Sequence, residues 1–204
     1  MNRLCVSLVA LALAGGASTA SAALTVGNTA PNFTLNRWGT STPVSLHDFA
    51  GKIVVLDFFA EWCGPCRTAS SEFEPYIQQY YAGRGGNANG IPVQVVSVCI
   101  DTSNASLVNG YVSQYGLKTV LNDGNQIAFG PYSQGGIPQF AIINGAMNTN
   151  RFQWEILSVP LGYDSGGYAS FRTTIDSVTV VPEPTSLGLC GVAAILLVNR
   201  RRRS

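Results

Sequence analysis

The chain has 204 residues, 46% of them hydrophobic and only 11% charged, with twelve Lys and Arg, eleven Asp and Glu and a single histidine, for a formal net charge of +1. Arg3 and Arg200 to Arg203 supply that positive balance from the ends; residues 23–181 hold seven Lys and Arg against ten Asp and Glu, so no basic stripe remains for a nucleic acid. Of five cysteines, Cys5 and Cys190 lie in the terminal segments, which excludes a disulfide-dense scaffold; one histidine, His47, and no second CxxC argue against a structural zinc site.

Residues 1–22 have the layout of a secretory signal peptide: Arg3, an apolar run from Leu4 to Ala14, and small residues closing on Ala20-Ser21-Ala22. The run is too short for a permanent membrane anchor. Cleavage by signal peptidase is expected after Ala22, and residues 23–181 suit one domain with one core.

Within that domain, Val44 to Phe49 reads as a short strand or turn, followed by a turn at Ala50-Gly51-Lys52. Ile53 to Ala60 is nearly unbroken apolar sequence, the pattern of a central strand buried on both faces. From Cys66 to Tyr81 the residues Phe73, Ile77, Tyr80 and Tyr81 recur at helical spacing, and the Gly- and Asn-rich residues 83–90 stop the helix. Ile91 to Ile100 predicts a second buried strand, and Ser103 to Tyr115 a helix capped by Ser103 and weakened by Gly110. Phe140 to Ile143 and Arg151 to Val159 read as two strands around an Asn144-Gly145 turn. Tyr168 to Val178 places Phe171, Ile175 and Val178 on one face of a closing helix. Strand, redox turn, helix, strand, helix, hairpin and helix make an α/β fold with a central mixed sheet flanked by helices.

Residues 182–204 begin with Pro182-Glu183-Pro184, continue with an apolar stretch from Leu187 to Val198 and end in four arginines. A positive cluster stays on the cytoplasmic side of a membrane, so this tail is able to stall there with the domain outside. The order of its parts resembles the PEP-CTERM sorting signal of Gram-negative bacteria, which implies recognition and removal by an exosortase. A simple tail anchor is the alternative, although the apolar stretch is short for one.

The chemistry lies in Cys63-Gly64-Pro65-Cys66. A pair placed where a strand turns into a helix puts Cys63 against the free N–H groups and positive dipole end of the helix, which favour its thiolate. Cys63 is expected to be the exposed nucleophile, and Cys66, one turn along, the more buried resolving thiol. Pro65 fits the first helical turn, where no N–H is needed, and Gly64 permits close approach of a partner chain. The competing reading is an inert structural disulfide, to which so short a loop adds little stability.

Three segments resemble the TlpA/ResA branch of thioredoxin-like proteins, grouped with the AhpC/TSA-like redoxins: Val26 to Leu35, the strand leading into Trp62-Cys63-Gly64-Pro65-Cys66, and Gly136-Ile137-Pro138. The resemblance runs from about Leu24 to Ser177 and implies a thioredoxin-like fold. It further implies that Pro138 is cis and, with Ile137, Trp62, Gly64 and Pro65, meets the substrate peptide. Asp57 stands where thioredoxins carry a buried acid; burial raises its pKa and suits it to proton exchange with Cys66. Two departures stand out: Ser71 replaces a common helix proline, with Pro75 the nearest one, and Asp57 replaces the Asn usual in TlpA/ResA relatives. The Pro and Thr or Ser that precede a peroxidatic cysteine are missing around Cys63.

Other residues have quieter readings. Cys99, inside a valine-rich strand, reads as a small core hydrophobe; His47 as a surface or loop residue; Trp62 as a rim shield as much as a substrate contact. Arg67 either adds positive potential beside the thiolate or is a solvated helix residue. The expected function is an exported thiol-disulfide oxidoreductase with no cofactor. Its partners would be exported protein thiols and disulfides and an upstream redox protein, in the periplasm, outer envelope or matrix. The rival is a surface or matrix protein that keeps the scaffold for binding alone.

Overall fold

A computed structural model describes residues 24–181; the expected leader and the expected sorting tail lie outside the described residues. Seven strands form one sheet in the order β2-β1-β5-β4-β3-β6-β7. They are β1 Thr34–Arg37, β2 Pro43–Ser45, β3 Ile53–Phe59, β4 Val93–Cys99, β5 Val120–Asn122, β6 Gln139–Asn144 and β7 Glu155–Ser158. The strands β3, β4 and β5 run parallel, and β6, β7, β1 and β2 are added antiparallel at the two sides. As its unbroken apolar sequence requires, β3 is central and buried along its whole length.

Helix α1 spans Gly64–Phe73, widens into a π-helical stretch at Glu74–Gln79 and ends as a last α-helical turn, α2, at Tyr80–Ala82. Pro75 has no N–H to give the ladder, and the register changes where it enters. Helices α3 (Ala105–Tyr115), α4 (Phe129–Tyr132) and α5 (Tyr168–Asp176) complete the layers. Successive β3 side chains point to opposite faces. Ile53 and Val55 therefore pack with Phe73, Ile77, Phe171 and Ile175, while Val54, Leu56 and Phe58 pack with Leu46, Val108, Phe129 and Tyr132.

Several elements depart from the sequence expectations. The segment expected as strand or turn at Val44–Phe49 is both: β2 ends at Ser45, whose side chain caps a 3-10 helix over Leu46–Phe49. Helix α3 begins at Ala105, so its cap is Asn104, whose Oδ1 accepts the Leu107 N–H at 3.2 Å, while Ser103, one residue too early to cap, donates its N–H to Asp101 Oδ1 at 3.1 Å. The β6–β7 pairing forms without an Asn-Gly turn. Asn144 is the buried last residue of β6, and its Nδ2 donates to Thr149 Oγ1 and to the carbonyls of Ala146 and Phe152, which organises residues 145–154 as a loop. Gly145 is needed for close approach: a Cβ there would lie 2.6 Å from the Lys52 carbonyl. The strands β1 and β5 and the helix α4 have no counterpart in the sequence pattern, being too short for a period to register.

Candidate active site

Strand β3 ends at Phe59, and residues 60–62 turn the chain into α1, whose N-cap is Cys63 in an extended conformation. Its Sγ accepts the Cys66 N–H at 3.2 Å, so a helix-terminal donor points at the sulfur. Cys63 and Cys66 are joined as a disulfide across 5.3 Å between Cα atoms. Cys66 is fully buried, as expected, but Cys63 is only 4% exposed, which corrects the expectation of an open sulfur. Its bond to Cys66, whose side chain faces the core, holds Cys63 Sγ inward. The surface over the pair is formed by exposed Trp62, Gly64 and Pro65.

The Ile137–Pro138 peptide is cis. Pro138 directly precedes β6, where Gln139 pairs with Phe58 in antiparallel register, so it sits at the end of the sheet from which Cys63 emerges. Pro138 itself is buried and its carbonyl accepts the Gly162 N–H at 2.8 Å. The free main chain therefore belongs to half-buried Ile137, for which no hydrogen bond is made among the described residues.

Asp57 is fully buried on the β3 face shared with Ile53 and Val55, against which the α1 residues pack. Burial pushes its carboxyl up to about 7, and the Ser97 hydroxyl, its register partner on β4, offsets this only in part. Neither oxygen makes a hydrogen bond, so Ser97 acts from beyond bonding geometry. Burial first, and then the charge of Asp57, raise the hydroxyl of Tyr111, which meets Ser70 Oγ at 2.8 Å and stacks on Phe59.

Around the pair, Glu61, Asp101 and Tyr111 join Trp62 and Arg67, which the sequence already marks. Trp62, 61% exposed, donates its indole N–H to Asp101 Oδ2 at 2.9 Å. That bond, with those from Ser103, keeps the Asp101 carboxyl below its ordinary range. Arg67 donates Nε and Nη2 to the Glu61 carbonyl at 3.3 and 2.8 Å, so it braces the turn before Cys63. A cleft of about 320 Å³ between α1 and α3 is lined by Glu61, Trp62, Arg67, Leu107, Gly110 and Tyr111. Asp101, Glu61 and Tyr111 come together only through the β3–β4 pairing and the packing of α3, at separations that no local motif spans. Cys99 is buried and donates to the Asp101 carbonyl at 3.1 Å; burial pushes its thiol up to about 12, in keeping with a core residue. His47 is exposed and stacks on Trp154. Among the described residues no group of His, Cys, Asp and Glu gathers to hold a metal, and no helix is long and apolar enough to cross a membrane.

Residues 26–128 match the AhpC/TSA family. A thiol-disulfide oxidoreductase ResA of Bacillus thuringiensis is 30% identical over 120 residues, covering 58% of this chain and 64% of that protein. A Coprinus comatus thioredoxin is 32% identical over 80 residues, 38% of this chain and 66% of its own. The chain thus spans somewhat under two thirds of the length of these relatives. A crystal structure assigned as a thiol:disulfide interchange protein DsbE from Chlorobium tepidum superposes with a TM-score of 0.61 at 27% identity, over 75% of this chain and 96% of that one. A solution structure assigned as a protein disulfide isomerase from Bacteroides thetaiotaomicron matches in fold with the same TM-score at 22% identity, over 75% of this chain and 89% of that one.

Proposed function

The chain belongs to the AhpC/TSA family, and on that premise we propose that it is an exported thiol-disulfide oxidoreductase acting on protein thiols and disulfides through Cys63 and Cys66. One observation carries the reading: Cys63 is the N-cap of α1, with its sulfur taking the Cys66 N–H and bonded to Cys66, at the sheet end shared with the cis Ile137–Pro138 peptide.

In the reducing direction, the Cys63 thiolate attacks one sulfur of a client disulfide and displaces the other as a thiolate, forming a mixed disulfide. Cys66 then gives up its proton and attacks Cys63 Sγ. That releases the second client sulfur, leaves the pair oxidised as in this structure and transfers two electrons to the client. Run backwards, the oxidised pair accepts two electrons from a client dithiol, and an upstream redox protein resets it in either case. Ile137 offers main-chain groups to the client, and Trp62, Gly64 and Pro65 form the contact surface. Asp57, with its carboxyl near neutrality, takes the Cys66 proton. The leader-like residues 1–22 and the arginine-ended residues 182–204 support export, processing by signal peptidase and an exosortase, and a transient hold on the envelope membrane of a Gram-negative cell.

Reduction of insulin disulfides by the pre-reduced protein tests the reading, with Cys63→Ser as control. Turnover in the parent and none in the variant is the expected result. No turnover in the parent, or equal turnover in both, leaves a binding scaffold instead. An Asp57→Asn variant with an unchanged pH profile removes the proton-transfer role.

A further inference from the structure

We propose that the cleft between the first turn of α1 and the middle of α3 binds a lysine or arginine side chain next to the reactive cysteine of a client polypeptide, with the Glu61 carboxylate as its counter-ion. The proposal rests on the disulfide-exchange reading above and adds to it a preference among clients.

Glu61 shares with Asp57 and Glu74 a buried carboxylate oxygen that has no hydrogen-bond partner, and of the three it alone lines this cleft. It is 7% exposed, and the unpartnered atom is its Oε2. A buried carboxylate oxygen left unpaired is costly, so a cationic donor that reached Glu61 would gain a charge-assisted hydrogen bond. The neighbouring cation does not satisfy it. Arg67 spends its guanidinium on the Glu61 main-chain carbonyl, and the one ion pair among the described residues is Arg151–Glu155, elsewhere in the fold. Nor is the other nearby acid free, since Asp101 already accepts the Trp62 indole N–H and the Ser103 N–H. Asp101, bonded to the Trp62 indole, adds a second acid beside the Glu61 and Arg67 of the cleft wall.

The remaining walls fit the stem of a long basic side chain. Trp62 and Leu107 are 61% and 56% exposed, and Gly110 leaves a gap in α3, because a Cβ there would meet nothing within 4 Å. An apolar trough ending at a carboxylate matches an alkyl chain that ends in a cation, and the face of Trp62 attracts that cation as it enters. The volume of about 320 Å³ accommodates one such side chain. Position links the trough to the chemistry: Trp62 precedes Cys63 and Arg67 follows Cys66, and adjacent residues of a client lie only about 3.8 Å apart along its chain. A cysteine held at Cys63 therefore brings its neighbour to the cleft.

The test uses the full reduced chain and three disulfide peptides that differ only in the residue beside the cysteine: lysine, norleucine as its uncharged analogue, and glutamate. The lysine peptide is expected to have a kcat/KM about tenfold above that of norleucine at low salt, mostly through KM, with glutamate lowest and the spread shrinking as salt is added. Glu61→Gln should bring the lysine-to-norleucine ratio close to one, and Gly110→Leu, which fills the gap from the opposite wall, should lower the same ratio. Equal kcat/KM for the three peptides with the parent chain, or a preference for glutamate, overturns the proposal without recourse to any variant. Failure to exchange with any of the three strikes the disulfide-exchange reading itself, and the client preference falls with it.

Discussion

The indole N–H of Trp62 and the carboxylate of Asp101 meet at 2.9 Å, tying an exposed ring beside the redox pair to the loop that follows β4. The anchor is ionic on one side only, and the bonds that Asp101 accepts hold its carboxyl below the ordinary 3.8. For an acid whose folded pKa is depressed, the stabilisation is present above the ordinary value and fades as pH falls through the folded one. The Trp62 indole resonance is therefore expected to stay fixed from pH 8 to pH 5 and to shift only in stronger acid. Asp101→Ala should move that resonance at neutral pH and cost about 0.5–1.5 kcal/mol of stability. A resonance indifferent to the substitution would show that the ring is held by packing alone.

Asp57 predicts the opposite dependence. Its pKa goes from 3.8 to about 7 on folding, so between those values the folded chain keeps a proton that the unfolded chain has released. The group is harmless to stability below about pH 3.8, and its cost grows as pH rises through about 7. Asp57→Asn, which cannot ionise, should stabilise the protein by about 2–4 kcal/mol at pH 8 and by much less at pH 4. Urea unfolding at the two values checks this, and an equal gain at both would mean that charge is not the cause.

Cys99 should be chemically silent. Burial pushes its thiol up to about 12, so the reactive thiolate is rare at neutral pH. In the reduced protein at pH 8, iodoacetamide is expected to label Cys63 and to reach Cys99 only after unfolding, as read by peptide mass. Cys99→Ala should leave disulfide exchange intact and cost about 1–2 kcal/mol through the lost packing.

Gly110 lies within α3 with open space where its Cβ would be. Ala at that position adds helix propensity without a clash, so Gly110→Ala should stabilise the chain by about 0.5–1 kcal/mol, visible as a rise in Tm. A fall in Tm would indicate that the glycine is needed for a contact made in solution.

The strongest local signals were readable along the chain. The apolar run of β3 marks a buried central strand whatever its neighbours, and a CxxC pair with proline at a helix start has the same backbone donors available in any fold. The alternation in β3 that directs Asp57 to the face beneath α1 is likewise a local property. What tertiary structure decided are the relations across distance. Asn144 reads as a turn residue by its neighbour Gly145, yet burial at the end of β6 turns its amide into the organiser of the following loop. Strand β5 exists because β4 and β1 both offer it partners, for its own residues are too few to carry a period. The burial of Cys63, the Trp62–Asp101 anchor and the unpartnered carboxylate of Glu61 depend on where β4 and α3 pack against α1. Hydrogen-bond satisfaction and desolvation are set by everything that surrounds a group in space, and sequence neighbours supply only part of that surrounding.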